Sequence, residues 1–253
     1  MFRYRLLLEY DGSAYMGWQR QPDGPTVQSA LEDALEAVLG GHRVAVTASG
    51  RTDAGVHALG QVVSFLSPVE RSDKSLCLGL NTSLPPDISC RAAGAVELDF
   101  HPIQSAVGKH YRYRVLDQST RAPLRRHQVL HIHHPVDLAR VREAAAHLLG
   151  THDFSTFRAA GCSSKSATKT ITRLDVQRVA DEVHFDVEGS GFLRHMVRAI
   201  VGTLLHVSAG RFEPAELPQM LAAQDRQAAG KTSPAHGLTL VRVHYPDGWP
   251  STG

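Results

Sequence analysis

Arg3-Tyr4-Arg5-Leu6-Leu7-Leu8-Glu9-Tyr10 sets Tyr4, Leu6, Leu8 and Tyr10 against Arg3, Arg5 and Leu7, the two-residue period of a strand that buries one face. Asp11-Gly12-Ser13 turns the chain out of that strand. From Thr26 the apolar residues Val27, Ala30, Leu31, Ala34, Leu35, Val38 and Leu39 recur on one helical stripe, which Gly40-Gly41 stops. Residues 44–49 and 61–65 read as strands on either side of a Gly-rich loop, 74–80 as a shorter helix, and 88–96 as a strand after Pro85-Pro86. The order is β-α-β-β-α-β.

The second half repeats it. Residues 109–116 and 128–133 read as strands, 137–149 as a helix ended by Gly150, and 171–178 and 183–188 as strands joined through Ala180-Asp181-Glu182. A long helix over 192–209 and a strand over 238–245 follow, while 161–170, rich in Ser and Thr, is expected to be loop. Two such units predict an α+β protein of two antiparallel sheets, each backed by helices, divided into 1–105 and 106–253.

Composition narrows the function classes. The 253 residues are 42% hydrophobic and 21% charged, which suits a buried core and excludes a disordered chain or a coiled coil. Lys and Arg number 27 against 25 Asp and Glu, so a net charge of +2 announces no nucleic-acid partner by itself. Cys77, Cys90 and Cys162 form no C-x-x-C pair and point away from a disulfide framework, towards a reducing cytoplasm. The apolar run Leu6-Leu7-Leu8 is too short for a signal peptide, and the stretch 196–209 is broken by Arg198 and His206. It falls short of the ~20 apolar residues of a membrane span, so a soluble protein is expected.

Ser49-Gly50-Arg51-Thr52-Asp53-Ala54-Gly55-Val56-His57-Ala58 carries the chemistry. Glycines on either side of Arg-x-Asp let the backbone approach a ligand, and small neighbours leave room for a bulky substrate beside the carboxylate. The plainer alternative is a connecting loop in which Arg51 and Asp53 pair locally. The helix over 192–209 is apolar nearly all round, yet Arg194 and Arg198 share one of its faces, four residues apart. A buried guanidinium is costly unless a carboxylate meets it, and Asp53 is the best-placed candidate; otherwise one or both arginines snorkel to solvent.

On the strand Lys109-His110-Tyr111-Arg112-Tyr113-Arg114, Lys109, Tyr111 and Tyr113 share one face and His110, Arg112 and Arg114 the other. Aromatics among cations can stack bases and hold phosphates, although tyrosines also pack in strands for their own sake. Arg112, Arg114, Arg121, Arg125 and Arg126 gather there against only Asp117, and Arg158, Lys165, Lys169 and Arg173 form a second cluster. Two such clusters point to a polyanion.

Gly50 through Ala58 resembles the signature loop of the tRNA pseudouridine synthase A family, whose members isomerise uridines at positions 38, 39 and 40 of the tRNA anticodon stem-loop. The resemblance runs along nearly the whole chain: Glu9-Tyr10-Asp11-Gly12, Gly17-Trp18-Gln19-Arg20-Gln21, 81–88, Asp153-Phe154, Phe157-Arg158 and Phe192-Leu193-Arg194-His195-Met196-Val197-Arg198 stand in matching order. It implies two pseudo-symmetric halves like RRM or ferredoxin-like βαββαβ units, with sheets that join, helices on one side and an active-site cleft between. It also implies a homodimer with no metal and no cofactor. Asp53 would be the catalytic nucleophile, Tyr111 the active-site tyrosine and Arg198 the basic residue that salt-bridges Asp53. Arg51 would bind RNA and help open the base pair, and Arg158, Lys165, Lys169 and Arg194 complete the substrate-binding set. Phe100-His101-Pro102-Ile103-Gln104-Ser105 departs from the family, which usually carries Ala-Arg-Phe after the His; a phosphate contact is missing there, not the chemistry.

The reaction breaks the N1–C1′ bond of uridine, rotates the uracil and rejoins it through C5. The base must first leave its stack, at a cost of a few kcal/mol, which Arg51 can partly offset. Asp53 must be ionised, which a neighbouring Arg198 favours. Whether it adds to the sugar, adds to the ring or removes the ribose 2′ proton stays open, and Tyr111 would stack on the uracil and serve in removing the C5 proton. Other readings fit less well. Fifteen histidines, with His131 and His133 on one strand face, invite a metal site, but no Cys or acid completes the set. Gly189-Ser190-Gly191 lacks the third glycine of a dinucleotide loop, where Arg194 stands. A non-catalytic RNA-binding protein with two such units lacks an RNP1-type segment. A glycoside or nucleoside hydrolase would need a second carboxylate that the Asp53 loop does not hold.

Overall fold

The alternation of residues 2–10 becomes strand β1 (Phe2–Tyr10) in the computed structural model of the chain, which describes residues 1–162 and 164–249. Helix α1 (Val27–Val38) starts where Thr26 accepts from the Ser29 backbone N–H and the Ser29 hydroxyl answers the Thr26 backbone, a closed capping box. Gly40 and Gly41, both at positive φ, release the chain after it. Strands β2 (Val46–Ala48) and β3 (His57–Ser67), helix α2 (Asp73–Ser83) and strand β4 (Ile88–Val96) complete the first βαββαβ unit. Ser72 caps α2 by accepting from the Ser75 N–H.

Residues Met1–Val107 and the chain from Thr239 onward form one unit, and Gly108–Leu238 the other. In the first, β4, β1 and β3 lie side by side and antiparallel. The second edge of β3 is shared: β2 pairs with Val63–Phe65, and the last strand, β10 (Leu238–His244), runs parallel to it at His57 and Ala58. Tyr4, Leu6 and Leu8 of β1 are buried, as are Leu31 and Leu35 of α1 and Leu76 and Leu80 of α2, each contributing roughly 1.5–3 kcal/mol for a side chain of Leu size.

The second unit orders its strands β5 (Gly108–Asp117), β9 (Glu182–Gly189), β8 (Thr168–Val179) and β7 (Gly150–Asp153), all antiparallel, with β6 (Leu130–Ile132) parallel to β5. Helices α3 (Leu138–Ala146) and α4 (Met196–Ser208) pack on each other, and the short helix α5 (Leu217–Ala223) sits against the turn at Ser155–Phe157. Among the described residues each unit holds five strands with helices, an α+β architecture. Among the described residues no helix is long and apolar enough to cross a membrane.

Several boundaries differ from the sequence reading. β3 begins at His57 rather than 61, inside the Gly-rich segment, because His57 pairs with Thr239 of β10 and Ala58 with both Tyr10 of β1 and Leu240 of β10. β8 begins at Thr168, inside the expected loop 161–170, since Thr168–Ile171 pairs with β7, and the Thr151 and Thr170 hydroxyls meet at 2.7 Å. α4 starts at Met196 rather than 192: His195 sits at φ 63°, left-handed, so the helix cannot extend back through it. The division at 105/106 assigned everything to the C-terminus to the second unit, whereas β10, hydrogen bonded to β3, counts with the first from Thr239 on.

Candidate active site

In the first unit the segment from Ser49 to His57 is held from below. The Ser49 N–H donates to the Val62 carbonyl at 2.7 Å, and the Thr52 carbonyl accepts from the Trp18 N–H at 3.0 Å. Thr52 and Val56 point into the core, while Asp53 is half-exposed and Arg51 and Ala54 are exposed. The Val56 N–H closes a turn on the Asp53 carbonyl at 3.1 Å, and Gly55 takes φ 77° to do so. Gly17 makes the approach of the preceding segment possible: at φ 93°, a Cβ there would lie 2.7 Å from the Thr52 carbonyl oxygen. The Gly12 N–H donates to His57 Nδ1 at 3.1 Å, tying the exit of β1 to the end of the loop. The inward anchors Ser49, Thr52 and Val56 thus leave Arg51 exposed and Asp53 half-exposed.

Beneath the loop lies a buried polar cluster. The Tyr10 and Thr52 hydroxyls are 2.8 Å apart, the Gln61 amide donates to the Gly50 carbonyl at 2.9 Å, and the Ser49 hydroxyl donates to Gln61 Oε1 at 2.7 Å. Burial pushes the Tyr10 hydroxyl up to about 12, against the opposing hydrogen bonds of Thr52 and Gln61.

The second unit holds the tyrosine strand and the arginine helix. Tyr111 is 9% exposed and meets the Phe192 ring edge-on, centroids 5.2 Å apart. Tyr113 is fully buried, and its hydroxyl donates to the Pro234 carbonyl at 2.8 Å. Burial pushes the pKa of this hydroxyl well above the ordinary tyrosine value, with Ser233 and Arg198 pulling the other way. Arg198 is half-buried in the first turn of α4; its Nε donates to the Ser233 carbonyl at 2.8 Å, while the Ser233 N–H donates to its carbonyl at 3.1 Å. That double tie aims the guanidinium. Lys109 shares the Tyr111 face of β5, and burial, then the nearby charge of Lys169, lowers its pKa to about 8.

The remaining basic residues divide. Lys165 and Arg194 are exposed and Lys169 half-buried. Arg158 Nη2 donates to the Cys162 and Ser164 carbonyls at 2.8 and 2.9 Å, and the Arg194 N–H points at Cys162 Sγ at 3.4 Å. Burial would raise the Cys162 thiol, but the hydrogen bonds from Arg194, Ser164 and Arg158 outweigh it and lower it.

The arginine-rich strand is not the open cationic surface that its sequence implied. Arg112 Nε and His110 Nε2 both meet Asp186 Oδ1, at 3.0 and 2.5 Å. Arg114 grips Glu182 with two bonds of 2.7 and 2.8 Å, and Arg125 pairs with Asp181 and Glu182. Arg178 holds Asp117 by two 2.6 Å bonds, and Arg173 pairs with Asp175 and Glu188. Burial would raise the carboxyls of Asp186 and Glu182, but these partners hold both below the ordinary range. Acids from β8, β9 and the turn between them therefore consume the charge of Arg112, Arg114, Arg125 and Arg173. The histidine pair makes a contact of another kind: the His131 and His133 rings meet edge-on at 4.6 Å, and His131 Nε2 donates to the Gln118 carbonyl at 2.8 Å.

A family model for tRNA pseudouridine synthase matches residues 7–104 and 144–246, spanning the Asp53 loop, β8, β9 and α4. The chain belongs to the tRNA pseudouridine synthase family. A tRNA pseudouridine synthase A of Myxococcus xanthus is 50% identical over 99% of this chain and 95% of its own length. Those of Geotalea daltonii and Halalkalibacterium halodurans are each 44% identical, covering 97% and 98% of this chain and 100% and 94% of theirs. Among solved structures a chain of a Cbf5-Nop10-Gar1 complex is similar at 12% identity and a TM-score of 0.40, over 94% of this chain and 48% of that one. Tyr10 and Gln61, which hold the Asp53 loop, and Ser233, which holds Arg198, were not among the residues singled out in the sequence. A glutamine inside the apolar run 61–65 was the available signal for Gln61; Ser233 meets Arg198 through its backbone, which leaves no mark in a sequence.

Proposed function

We propose that this chain isomerises uridine to pseudouridine in tRNA, at positions 38, 39 and 40 of the anticodon stem-loop, with Asp53 as nucleophile and with no cofactor. The observation that carries the reading is the Asp53 loop: a half-exposed carboxylate between inward anchors Thr52 and Val56, inside the segment matched to the family. The N1–C1′ bond breaks, the detached uracil turns, a C5–C1′ bond forms, and the proton lost from C5 is balanced by one gained at N1. Arg198 is the basic residue of the reaction, and the Ser233 carbonyl restricts the directions its guanidinium can take. Tyr111, held by Phe192, stacks on the uracil and serves in removing the C5 proton.

Arg51, exposed beside Asp53, takes the space of the extruded base or a phosphate, and Lys165, Lys169 and Arg194 hold the RNA backbone. Arg158 contributes by fixing the Cys162 and Ser164 carbonyls near them. The enzyme works in the cytoplasm as a homodimer. Tritium release from C5-labelled uridine in tRNA tests the reading. Asp53→Asn should abolish release while leaving tRNA affinity within about threefold of the wild type, since a carboxylate contributes nothing to phosphate attraction. Full turnover by Asp53→Asn would remove that residue from the chemistry.

A further inference from the structure

We infer that Tyr10, Gln61, Ser49 and Thr52 form a positioning device for Asp53, so that the rate of isomerisation depends on this buried cluster while affinity for tRNA does not. The inference rests on the assignment of Asp53 as the reacting group.

The cluster touches the loop on each residue leading to Asp53 except Arg51. Ser49 is fixed twice, by its N–H on the Val62 carbonyl at 2.7 Å and by its hydroxyl on Gln61 Oε1 at 2.7 Å. The Gln61 amide holds the Gly50 carbonyl at 2.9 Å and reaches the Tyr10 hydroxyl at 3.5 Å. Tyr10 in turn holds the Thr52 hydroxyl at 2.8 Å, and Trp18 holds the Thr52 carbonyl at 3.0 Å. Asp53 follows directly.

Placement makes a purely structural role a poor account of this cluster. Gln61 and Ser49 are 0% exposed, Tyr10 3% and Thr52 7%. Polar groups at such depth cost free energy unless hydrogen bonded, and apolar residues of similar volume would serve a core at least as well. What the polar cluster adds is direction. It restricts the backbone dihedrals just before the carboxylate, which Gly50 would otherwise leave loose. With the Tyr10 hydroxyl near 12, the chain of bonds keeps its protons across the range in which a carboxylate works.

The test compares Tyr10→Phe, Thr52→Val, Thr52→Ser and Asp53→Asn in single-turnover isomerisation at saturating enzyme, with tRNA affinity and thermal unfolding measured in parallel. Misplacing a reacting group by about 1 Å can cost about a hundredfold in rate. Tyr10→Phe and Thr52→Val should thus slow the chemical step by about ten- to a hundredfold with Kd for tRNA within about twofold. Thr52→Ser, which keeps the hydroxyl, should recover most of the rate, a distinction that loss of packing alone would not make. Rates of Tyr10→Phe and Thr52→Val within about twofold of wild type, with Asp53→Asn inactive, would overturn the positioning role and leave the Asp53 assignment standing. Parallel losses of rate and affinity would also overturn it, because they mark a collapsed loop. Turnover by Asp53→Asn would remove the assignment and the inference together. Should Tyr10→Phe fail to fold, the Val and Ser variants of Thr52 decide.

Discussion

Replacing Lys109 with methionine should make the protein more stable at neutral pH, and the gain should vanish as the solution becomes alkaline. Burial, reinforced by the charge of Lys169, lowers the Lys109 ammonium from 10.5 to about 8. Between about pH 8 and 10.5 the unfolded chain carries a proton on Lys109 that the folded chain has released. Unfolding then takes up a proton, so this residue makes stability rise with pH across that window. Below about pH 8 both states are charged, the slope disappears, and the full cost of burying the ammonium is present. That cost is about 3 kcal/mol, at roughly 1.4 kcal/mol for each tenfold change in proton affinity. Tyr10, Tyr113, Tyr245 and Cys90, all pushed up by burial, act in the opposite sense in alkali. The wild-type curve alone is therefore a mixture, and the difference from Lys109→Met isolates the lysine. Urea unfolding from about pH 7 to about pH 10 should show the variant ahead by about 1–3 kcal/mol at the neutral end, with the gap closing towards the alkaline end and m unchanged. Lys169→Gln should shrink the gap part-way by removing the like charge. A gap independent of pH would refute the idea that the fold holds this ammonium at a disadvantage.

Gly237→Ala would set a Cβ 2.6 Å from Tyr113 Cζ and 2.9 Å from its hydroxyl oxygen. With that ring fully buried, the crowding should cost about 1–3 kcal/mol and lower Tm by about 2–4 °C for each kcal/mol; an unaltered melting curve would show that the ring moves aside freely. Arg178→Met strands the Asp117 carboxylate, whose side chain is 1% exposed, and should destabilise by about 2–4 kcal/mol at neutral pH, reduced by water entering where the 40% exposed guanidinium stood. In the wild type the carboxyl is held below its ordinary value, so its contribution is lost as pH falls through the acid range; in the variant it is raised, so the deficit should narrow on acidification, as denaturant titrations near pH 7 and pH 4 would show.

The sequence carried the local signals and lost the tertiary ones. α1 was readable because Thr26 and Gly40-Gly41 punctuate an apolar stripe, and β4 because Pro85-Pro86 precedes it. β7 was not, since Gly150-Thr151-His152-Asp153 has no apolar period and is a strand only through its pairing with β8. The early start of β3 likewise depends on partners distant in the chain. At the site, Asp53, Tyr111 and Arg198 stood out by residue type and motif. The fate of the arginines did not, because Asp186 meets Arg112 only through the register of β5 on β9. Charge counted along a chain says little about which charges are already answered across a sheet.

The return of β10 to β3 makes the first unit discontinuous: the whole of Gly108–Leu238 is inserted before its final strand. On a ribosome adding about 5–20 residues each second, that insertion takes roughly 7–26 s to synthesise. Throughout that interval β3 has a bare edge at His57 and Ala58, directly after the Asp53 loop. The nascent first unit can assemble its helices and β1 early, yet the part of its sheet bordering the Asp53 loop waits for β10 to emerge. The Asp53 loop is therefore late to acquire its neighbours, and that exposed edge is where a stalled or truncated nascent chain would be vulnerable to mispairing.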